Sequence, residues 1–142
     1  MAVSYTAVVG VDGEGRNGGR VRSSDGLLET GLAIPKEFGG GGAATNPEQL
    51  LAAGWAACFL GAVRRVAGER KVRLTSTTIT AEITLTHGDD DEFSLSAVLR
   101  PVLGGVDQAT AEELAHAAHR ICPYSKATRD NIPVVIHAGV AA

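Results

Sequence analysis

The sequence predicts an α+β fold in which antiparallel β-sheets pack around one long central helix. Residues 50–66 form an apolar segment that is long enough for such a helix. Apolar and polar side chains alternate along residues 75–86, which is typical of a half-buried strand. The predicted strands cluster along the chain instead of alternating with helices, which is typical of α+β architecture. The 142 residues, 44% of them hydrophobic, are enough for one core, so we expect a single domain over residues 1–142.

The first third of the chain has the pattern of short strands joined by turns. Apolar and polar side chains can alternate along residues 5–9, which predicts a strand, and the glycine-rich residues 10–19 predict a loop or hairpin turn. An Asp-Gly pair at residues 25–26 stands between two further strand-like runs, residues 20–24 and 27–34. Such a pair is typical of a two-residue hairpin turn, so we expect these two runs to pair.

The start of the central helix is clearly marked in the sequence. Asn46 suits the N-cap position, Pro47 suits the first helical position, and Glu48 suits the positive end of the helix dipole. The residues that follow, 50–66, are apolar on almost every side. We expect a helix of this kind to be packed on all faces in the centre of a core, and to end near Gly68.

Three more strands and a second helix are predicted for the rest of the chain. Strands are expected at residues 75–86, 93–103 and 134–138. A capping box formed by Thr110 and Glu113 predicts the start of the second helix. Its buried face is predicted to consist of Leu114, Ala118 and Ile121. Pro123 interrupts this helix and places Cys122 at a break between helical segments.

Composition excludes several classes of protein. The net charge of −3, from 13 basic and 16 acidic residues, gives no nucleic-acid-binding signature. No apolar run reaches the ~18 residues of a membrane span. The N-terminus lacks the basic and apolar regions of a signal peptide, so we expect a cytoplasmic protein without a membrane partner.

The two cysteines, 64 residues apart, are the main candidates for chemistry. In an unexported chain we expect reduced thiols, and any disulfide between them would be transient. Cys58 lies inside the apolar helix, where it is either a small buried hydrophobe or a thiolate that a cation stabilises. The candidate cations are Arg16, Arg20 and Arg22. Cys122, at the helix break, is either a packing residue or a mobile, reactive thiol.

A metal site is a weaker interpretation of the same region. His116, His119 and Cys122 are spaced by three residues and could be pictured as ligands together with Cys58. At this spacing, however, successive side chains rotate around the helix and do not share one face. Neither a Cys-x-x-Cys nor a His-Glu-x-x-His motif is present. We therefore predict no metal.

Two long motifs resemble those of a known family. Residues 45–50 (Thr-Asn-Pro-Glu-Gln-Leu) and 52–59 (Ala-Ala-Gly-Trp-Ala-Ala-Cys-Phe) resemble the first signature of the organic hydroperoxide resistance proteins, within the osmotically inducible protein C (OsmC) superfamily. Residues 118–125 (Ala-His-Arg-Ile-Cys-Pro-Tyr-Ser), with 127–129 and 131–132, resemble the second. The resemblance covers essentially the whole chain and includes the spacing of the cysteines.

This resemblance implies both an assembly and an activity. It implies an OsmC-like fold and an intertwined homodimer with its active sites at the subunit interface. It also implies a peroxidase in which Cys58 attacks organic hydroperoxides and becomes a sulfenic acid, and Cys122 resolves it as a disulfide. The reductant would be dihydrolipoyl groups of lipoylated proteins, with no cofactor bound. The family pattern also includes Glu48 and an arginine of the first loop.

The identity of that loop arginine is open. Arg16 lies in a Gly-Arg-Asn-Gly run that is similar to the family motif, and Arg20 is the alternative because the loop carries one extra residue. Glu48 and Cys58 are ten residues apart, or ~15 Å along a straight helix, so one arginine hardly reaches both. Either the helix breaks near its start, or Glu48 serves the site of the partner subunit. We favour the second hypothesis.

Apolar residues near the motifs are candidates for a substrate-binding wall. These residues are Phe38, Leu51, Trp55, Phe59 and Tyr124. Such a wall would favour alkyl, aryl or fatty-acid hydroperoxides over hydrogen peroxide, although Leu51 and Phe59 fit a core role equally well. Trp55 stands where the family usually has Tyr. A different function would use the same cysteine pair in a redox sensor or binding protein without fast turnover.

Overall fold

Seven β-strands and three α-helices make up the structure, a computed structural model that describes residues 1–142. The chain divides into two compact units, Met1–Leu50 and Leu51–Ala142. Each unit contains its own β-sheet. The mixed α+β class predicted from the sequence is confirmed, while the assignment of the whole chain to one domain stays a prediction.

The first unit is built on a three-stranded antiparallel sheet. Strands β1 (Val9–Asp12), β2 (Arg20–Ser23) and β3 (Glu29–Gly31) lie in the order β1-β2-β3. The strand predicted at residues 5–9 is wrong by four residues, because pairing with β2 begins only at Val9, opposite Ser23. Alternation alone does not show which residues find a hydrogen-bonding neighbour.

The hairpin between β2 and β3 is present, but its turn is wider than predicted. The ladder closes at Ser23, whose N–H donates to the carbonyl of Leu28 at 2.8 Å. Within the loop, Asp25 Oδ1 accepts from the Ser23 hydroxyl and from the N–H of Leu27. Gly26 adopts φ +75°, which only glycine takes without strain. The Asp25 carboxylate thus stabilises a longer loop, and the predicted two-residue turn is wrong.

Helix α1 (Pro47–Glu69) begins and ends close to the predicted positions. The N–H of Gln49 donates to Asn46 Oδ1 at 2.9 Å, which confirms Asn46 as the N-cap. The predicted burial on all faces is wrong for this chain, since one face is buried and the other is exposed. The buried face consists of Trp55, Phe59, Ala62, Val63, Val66 and Ala67. The exposed face carries small residues, including Ala53, Ala57 and Gly61.

Length and composition alone would also allow α1 to cross a membrane, with a mean hydropathy of 1.4 over its most apolar window. The expectation that no segment reaches this limit overlooked the many alanines of the helix. In the structure, the buried face of α1 belongs to a hydrophobic core shared with Leu99, Leu103 and Leu114.

The second unit has a long hairpin as its framework. Strands β4 (Ser76–His87) and β5 (Phe93–Gly104) pair antiparallel along their whole length, as predicted. Strands β6 (Val134–Ile136) and β7 (Gly139–Val140) both pair with β5, but in parallel. The expected antiparallel pairing therefore holds for β1 to β5 and is wrong for β6 and β7. Two helices separate β5 from β6, and a connection of that length allows a strand to return in parallel.

Helix α2 (Gln108–Ile121) starts earlier than predicted. Asp107 is its N-cap, and the carboxylate accepts from the N–H of Thr110 at 2.8 Å. The predicted capping box at Thr110 is wrong, since the carboxylate three residues earlier satisfies that N–H. Leu114 and Ala118 are buried as expected, whereas Ile121 is exposed at the end of the helix.

Candidate active site

The two cysteine sulfurs lie next to each other. Cys122 Sγ donates to Cys58 Sγ at 3.4 Å, and both thiols are free. Cys122 is fully buried, while Cys58 is partly exposed and packs against the core. Two thiols at this separation can close to a disulfide, whose sulfurs are ~2.05 Å apart, after a small movement. The pair that the sequence placed 64 residues apart is thus one site in space.

The break in the helix explains how Cys122 reaches Cys58. Cys122 has an extended backbone, with φ −61° and ψ 122°, between α2 and a short third helix, α3 (Pro123–Thr128). Its N–H still donates to the carbonyl of Ala118, and Pro123 then prevents α2 from continuing. Cys122 occupies the N-cap position of α3, but its side chain makes no capping hydrogen bond. The thiol is therefore free to point at Cys58.

The surroundings of Cys58 do not favour its thiolate. Burial raises the pKa of the Cys58 thiol above its ordinary value, and the contact with Cys122 raises it further. The backbone N–H of Tyr124 acts in the opposite direction, because it donates to the Cys58 sulfur. None of the groups that shift this pKa is a cation. A reactive Cys58 therefore needs a positive charge that these neighbours do not supply.

Arg16 and Glu48 form an ion pair within the first unit. Arg16 lies on a 3₁₀ turn, Gly15–Asn17, and its two terminal nitrogens donate to the two oxygens of Glu48 at 2.5 and 3.3 Å. A fork-like pair of this kind fixes the guanidinium in position as well as neutralising it. The side chain of Arg16 remains 39% exposed and that of Glu48 only 14%.

This contact decides one question that the sequence left open. The favoured arrangement, in which Glu48 of one chain meets Arg16 of the other, is wrong because Arg16 and Glu48 of one chain are in contact. Which subunit's Cys58 this pair serves stays a prediction. The alternative of a broken helix is also excluded, since α1 is continuous from Pro47 through Cys58. Glu48 and Cys58 accordingly remain ~15 Å apart along the helix axis.

The alternative arginine has a different partner. Arg20 lies on β2 and donates to Glu29 of β3 at 3.3 Å, in a pair whose side chains are both largely exposed. Such a surface pair contributes little to stability. Of the two candidates, Arg16 is therefore the one that Glu48 holds.

The predicted apolar wall separates into two groups. Trp55 and Phe59 are fully buried in the core of the second unit, which is the structural role left open for Phe59. Phe38 and Tyr124 are exposed and Leu51 is partly buried, so these three present apolar surface. Their contact with a substrate stays a prediction.

Ser125 is a buried polar residue that the sequence reasoning missed. It is fully buried, and its hydroxyl accepts from the indole N–H of Trp55 at 3.2 Å. A buried tryptophan usually finds such an acceptor, so Trp55 in an apolar helix was the available signal. Gly54 is a second missed residue, since a Cβ there would lie 3.0 Å from the Tyr124 hydroxyl.

His119 is a partly buried titratable residue that precedes Cys122 by three residues in α2. Its Nδ1 is buried without a hydrogen-bond partner, and its ring lies 6.5 Å from that of Phe59. Burial lowers the pKa of His119 below the usual 6.5, and the positive charges of Arg129 and His116 lower it further. No three His, Cys, Asp or Glu side chains come together as a metal-binding group.

Comparison with known proteins identifies consistent relatives. Residues 39–137 match the family model described as OsmC-like protein. The organic hydroperoxide resistance protein of Xanthomonas axonopodis pv. citri is 43% identical over 136 residues, which cover 94% of each chain. The organic hydroperoxide resistance protein OhrB of Bacillus subtilis is 40% identical over 87% of this chain and 91% of its own.

Solved structures agree with these relatives. A crystal structure of an organic hydroperoxide resistance protein from Legionella pneumophila matches 98% of this chain and 100% of its own, with 42% identity and a TM-score of 0.91. The crystal structure of Bacillus subtilis OhrB covers 94% of this chain, with 37% identity and a TM-score of 0.84. The OsmC-like fold expected from the sequence motifs is confirmed.

The lowered pKa of His119 predicts a pH dependence of stability. Because the unfolded chain binds a proton at His119 more readily than the folded chain, the free energy of unfolding should decrease as the pH falls below 6.5. Substitution His119→Gln should remove part of this decrease, measured by urea unfolding at several pH values between about 7 and 5. The exposed His137→Gln is the control, and an equal effect of both substitutions would contradict the assignment to His119.

Proposed function

Because the chain belongs to the organic hydroperoxide resistance proteins of the OsmC-like family, we propose that it is a thiol peroxidase that reduces organic hydroperoxides to alcohols. The observation that carries this proposal is the 3.4 Å contact between the free thiols of Cys58 and Cys122. A partly exposed thiol beside a buried one is the arrangement that a peroxidatic and a resolving cysteine need.

The proposed reaction has three steps. The Cys58 thiolate attacks the terminal oxygen of the hydroperoxide, the O–O bond breaks, and the alkoxide leaves and is protonated to the alcohol. The Cys122 thiolate then attacks the sulfur of the Cys58 sulfenic acid, a disulfide forms, and hydroxide leaves as water after protonation. Finally, an external dithiol reduces the disulfide and is itself oxidised to a disulfide.

Arg16 is proposed as the cation that makes Cys58 reactive. Because Glu48 and Cys58 of one chain lie ~15 Å apart along α1, we propose that the Arg16–Glu48 pair of one subunit serves Cys58 of the other. Burial raises the pKa of Cys58, so a positive charge is needed to restore the thiolate. Arg16 suits this role because Glu48 fixes its guanidinium while the Arg16 side chain stays partly exposed. The same charge would stabilise the alkoxide that develops when the O–O bond breaks.

Substrates with apolar groups are proposed to be preferred. Phe38, Leu51 and Tyr124 offer accessible apolar surface, and burial of an alkyl or aryl group against such surface is favourable by ~25 cal/mol per Å². Hydrogen peroxide gains nothing from it. Trp55 and Phe59 would contribute indirectly, by shaping the core beneath Cys58.

The proposed reductant is a dihydrolipoyl group carried by a lipoylated protein, with no cofactor bound to the enzyme itself. A small dithiol on a flexible arm is suited to a disulfide of which one sulfur is buried. We also propose a cytoplasmic location, because both cysteines act as reduced thiols in this cycle. No nucleic acid or membrane takes part in it.

A redox sensor without fast turnover is the second candidate. The observation that favours it is the raised pKa of Cys58, since a protonated thiol reacts slowly. The two candidates differ in rate: a sensor would be oxidised once by a hydroperoxide and would then stay oxidised in the presence of dihydrolipoamide.

Substitution of each cysteine should affect a different step. With cumene hydroperoxide and dihydrolipoamide, Cys58→Ser should abolish peroxide consumption, because the attacking sulfur is lost. Cys122→Ser should retain a first turnover of about one peroxide per chain and then accumulate overoxidised Cys58, detectable by mass spectrometry. Consumption that survives Cys58→Ser would end the proposal, and replacing dihydrolipoamide by reduced thioredoxin tests the choice of reductant.

The two arginines should differ in their effect on rate. Arg16→Ala should lower the second-order rate constant for cumene hydroperoxide by about 100-fold or more, because it removes charge stabilisation at the reacting oxygen. It should also shift the midpoint of the pH–rate profile upward. Arg20→Ala, which breaks only the exposed pair with Glu29, is the control and should stay within about threefold of the wild type. A larger loss of rate in Arg20→Ala than in Arg16→Ala would make Arg20 the active-site arginine.

A homodimer is proposed from the face that α1 leaves exposed. Small residues on that face, Ala53, Ala57 and Gly61, permit the close approach of a second helix, and most of α1 is apolar. Sedimentation at micromolar concentration should give twice the chain mass of 14.6 kDa. Gly61→Glu should shift the protein toward the monomer, since it would bury a charge in the interface. A monomeric wild type would contradict this assembly.

A further inference from the structure

We infer that the buried hydrogen bond between Trp55 and Ser125 positions Cys122 for its attack on oxidised Cys58. Trp55 and Ser125 are then positioning residues for the disulfide-forming step, and this inference rests on the peroxidase function proposed above. Neither side chain hydrogen-bonds to a sulfur in the structure, and each acts through the backbone segment that it holds in place.

The two partners of this hydrogen bond flank the two cysteines. Trp55 precedes Cys58 by three residues, which is about one turn of α1, and Ser125 follows Cys122 by three residues. The indole N–H donates to the hydroxyl at 3.2 Å, and both residues are fully buried. One polar contact therefore ties the segment that carries Cys58 to the segment that carries Cys122.

The short helix α3 depends on such contacts for its position. It has only six residues, fewer than a helix needs to be stable alone in water. Besides the Trp55 bond, the hydroxyl end of Tyr124 lies over Gly54, where even one added Cβ would come within 3.0 Å. Successive residues of α3 thus contact successive residues of α1, and these contacts hold the start of α3, where Cys122 lies, against the helix of Cys58.

The distance between the sulfurs gives this restraint a chemical consequence. The thiols are 3.4 Å apart, and a disulfide requires ~2.05 Å, so the segment of Cys122 must move by little more than 1 Å. A restrained neighbour has a high effective concentration, which accelerates an intramolecular step. Without the restraint, Cys122 would spend more time away from Cys58 and the disulfide would form more slowly.

Slower disulfide formation changes the fate of the sulfenic acid. In the productive step, Cys122 attacks the Cys58 sulfur, the S–S bond forms, and the oxygen leaves as water. In the competing step, the sulfenate attacks a second hydroperoxide, takes one oxygen to become a sulfinic acid, and releases one alcohol. The ratio of these two products therefore reports the position of Cys122, whereas the first oxidation of Cys58 requires no attack by Cys122.

The first experiment measures this ratio in Ser125→Ala, Trp55→Phe and the double variant. With cumene hydroperoxide, we expect Ser125→Ala to keep at least about half of the wild-type rate of first oxidation of Cys58. In all three variants we expect at least about fivefold more sulfinic acid per first oxidation, measured by mass spectrometry. The double variant should form no more sulfinic acid than the more affected single variant, because both substitutions remove the same hydrogen bond. Val63→Ala, which removes two methyl groups from the buried face of α1 and keeps the hydrogen bond, is the matched control.

The second experiment does not depend on peroxidase activity. In a glutathione redox buffer, the two thiols and oxidised glutathione exchange with the protein disulfide and two reduced glutathiones, which gives the effective concentration of Cys122 toward Cys58. We expect Ser125→Ala to lower it at least about fivefold relative to Val63→Ala. Trp55 is the only tryptophan, so its fluorescence shows in the same samples whether the indole has lost its acceptor.

The outcomes separate the inference from the proposed function. A wild type that does not consume hydroperoxide, with a lowered effective concentration in Ser125→Ala, would reject the peroxidase and keep the positioning role. An active wild type whose Ser125→Ala and Trp55→Phe variants match Val63→Ala in both experiments would overturn the inference alone. The inference would also be overturned if the effects of the two single substitutions on sulfinic acid formation added up in the double variant. Two residues that act through one hydrogen bond can lose that bond only once.

Discussion

The placement of Cys58 depends on the burial of two aromatic side chains that stand on either side of it in α1. Trp55 and Phe59 are fully buried in the core of the second unit, together with residues of β5 and α2. Large aromatic side chains dominate the packing of a core this size, so they set the rotation of the helix about its axis. Cys58 then lies at the edge of the buried face, partly exposed and in contact with Cys122.

The same burial creates a chemical problem for the site. Removing water from around Cys58 raises its pKa, and the neighbouring Cys122 adds to this effect. The N–H of Tyr124 opposes it only in part, because it is a single neutral donor. The burial that fixes the position of Cys58 therefore also makes its thiol less reactive. A peroxidase built on this helix needs a charged group from elsewhere. This requirement is the physical reason for the role proposed for Arg16.

The structure also shows how the segment after a helix break is kept in register. Pro123 ends α2, and the chain that follows could take many directions. A buried indole N–H without an acceptor would be costly, so Trp55 favours the one arrangement that brings the Ser125 hydroxyl to it. A polar contact in the core thus selects the geometry of the thiol pair, and apolar packing alone would not be as specific.

Local sequence features determined much of this protein. The Asn46 cap, the alternation of the long hairpin and the Pro123 break were readable because neighbours along the chain decide them, and the two motifs around the cysteines identified the family. The sequence alone did not reveal that Asp107 caps α2, that β6 and β7 run parallel to β5, or that Glu48 holds Arg16 of its own chain. It also missed Ser125, which is 70 residues from Trp55. These features depend on which distant groups meet in the folded chain, and only the tertiary structure decides that.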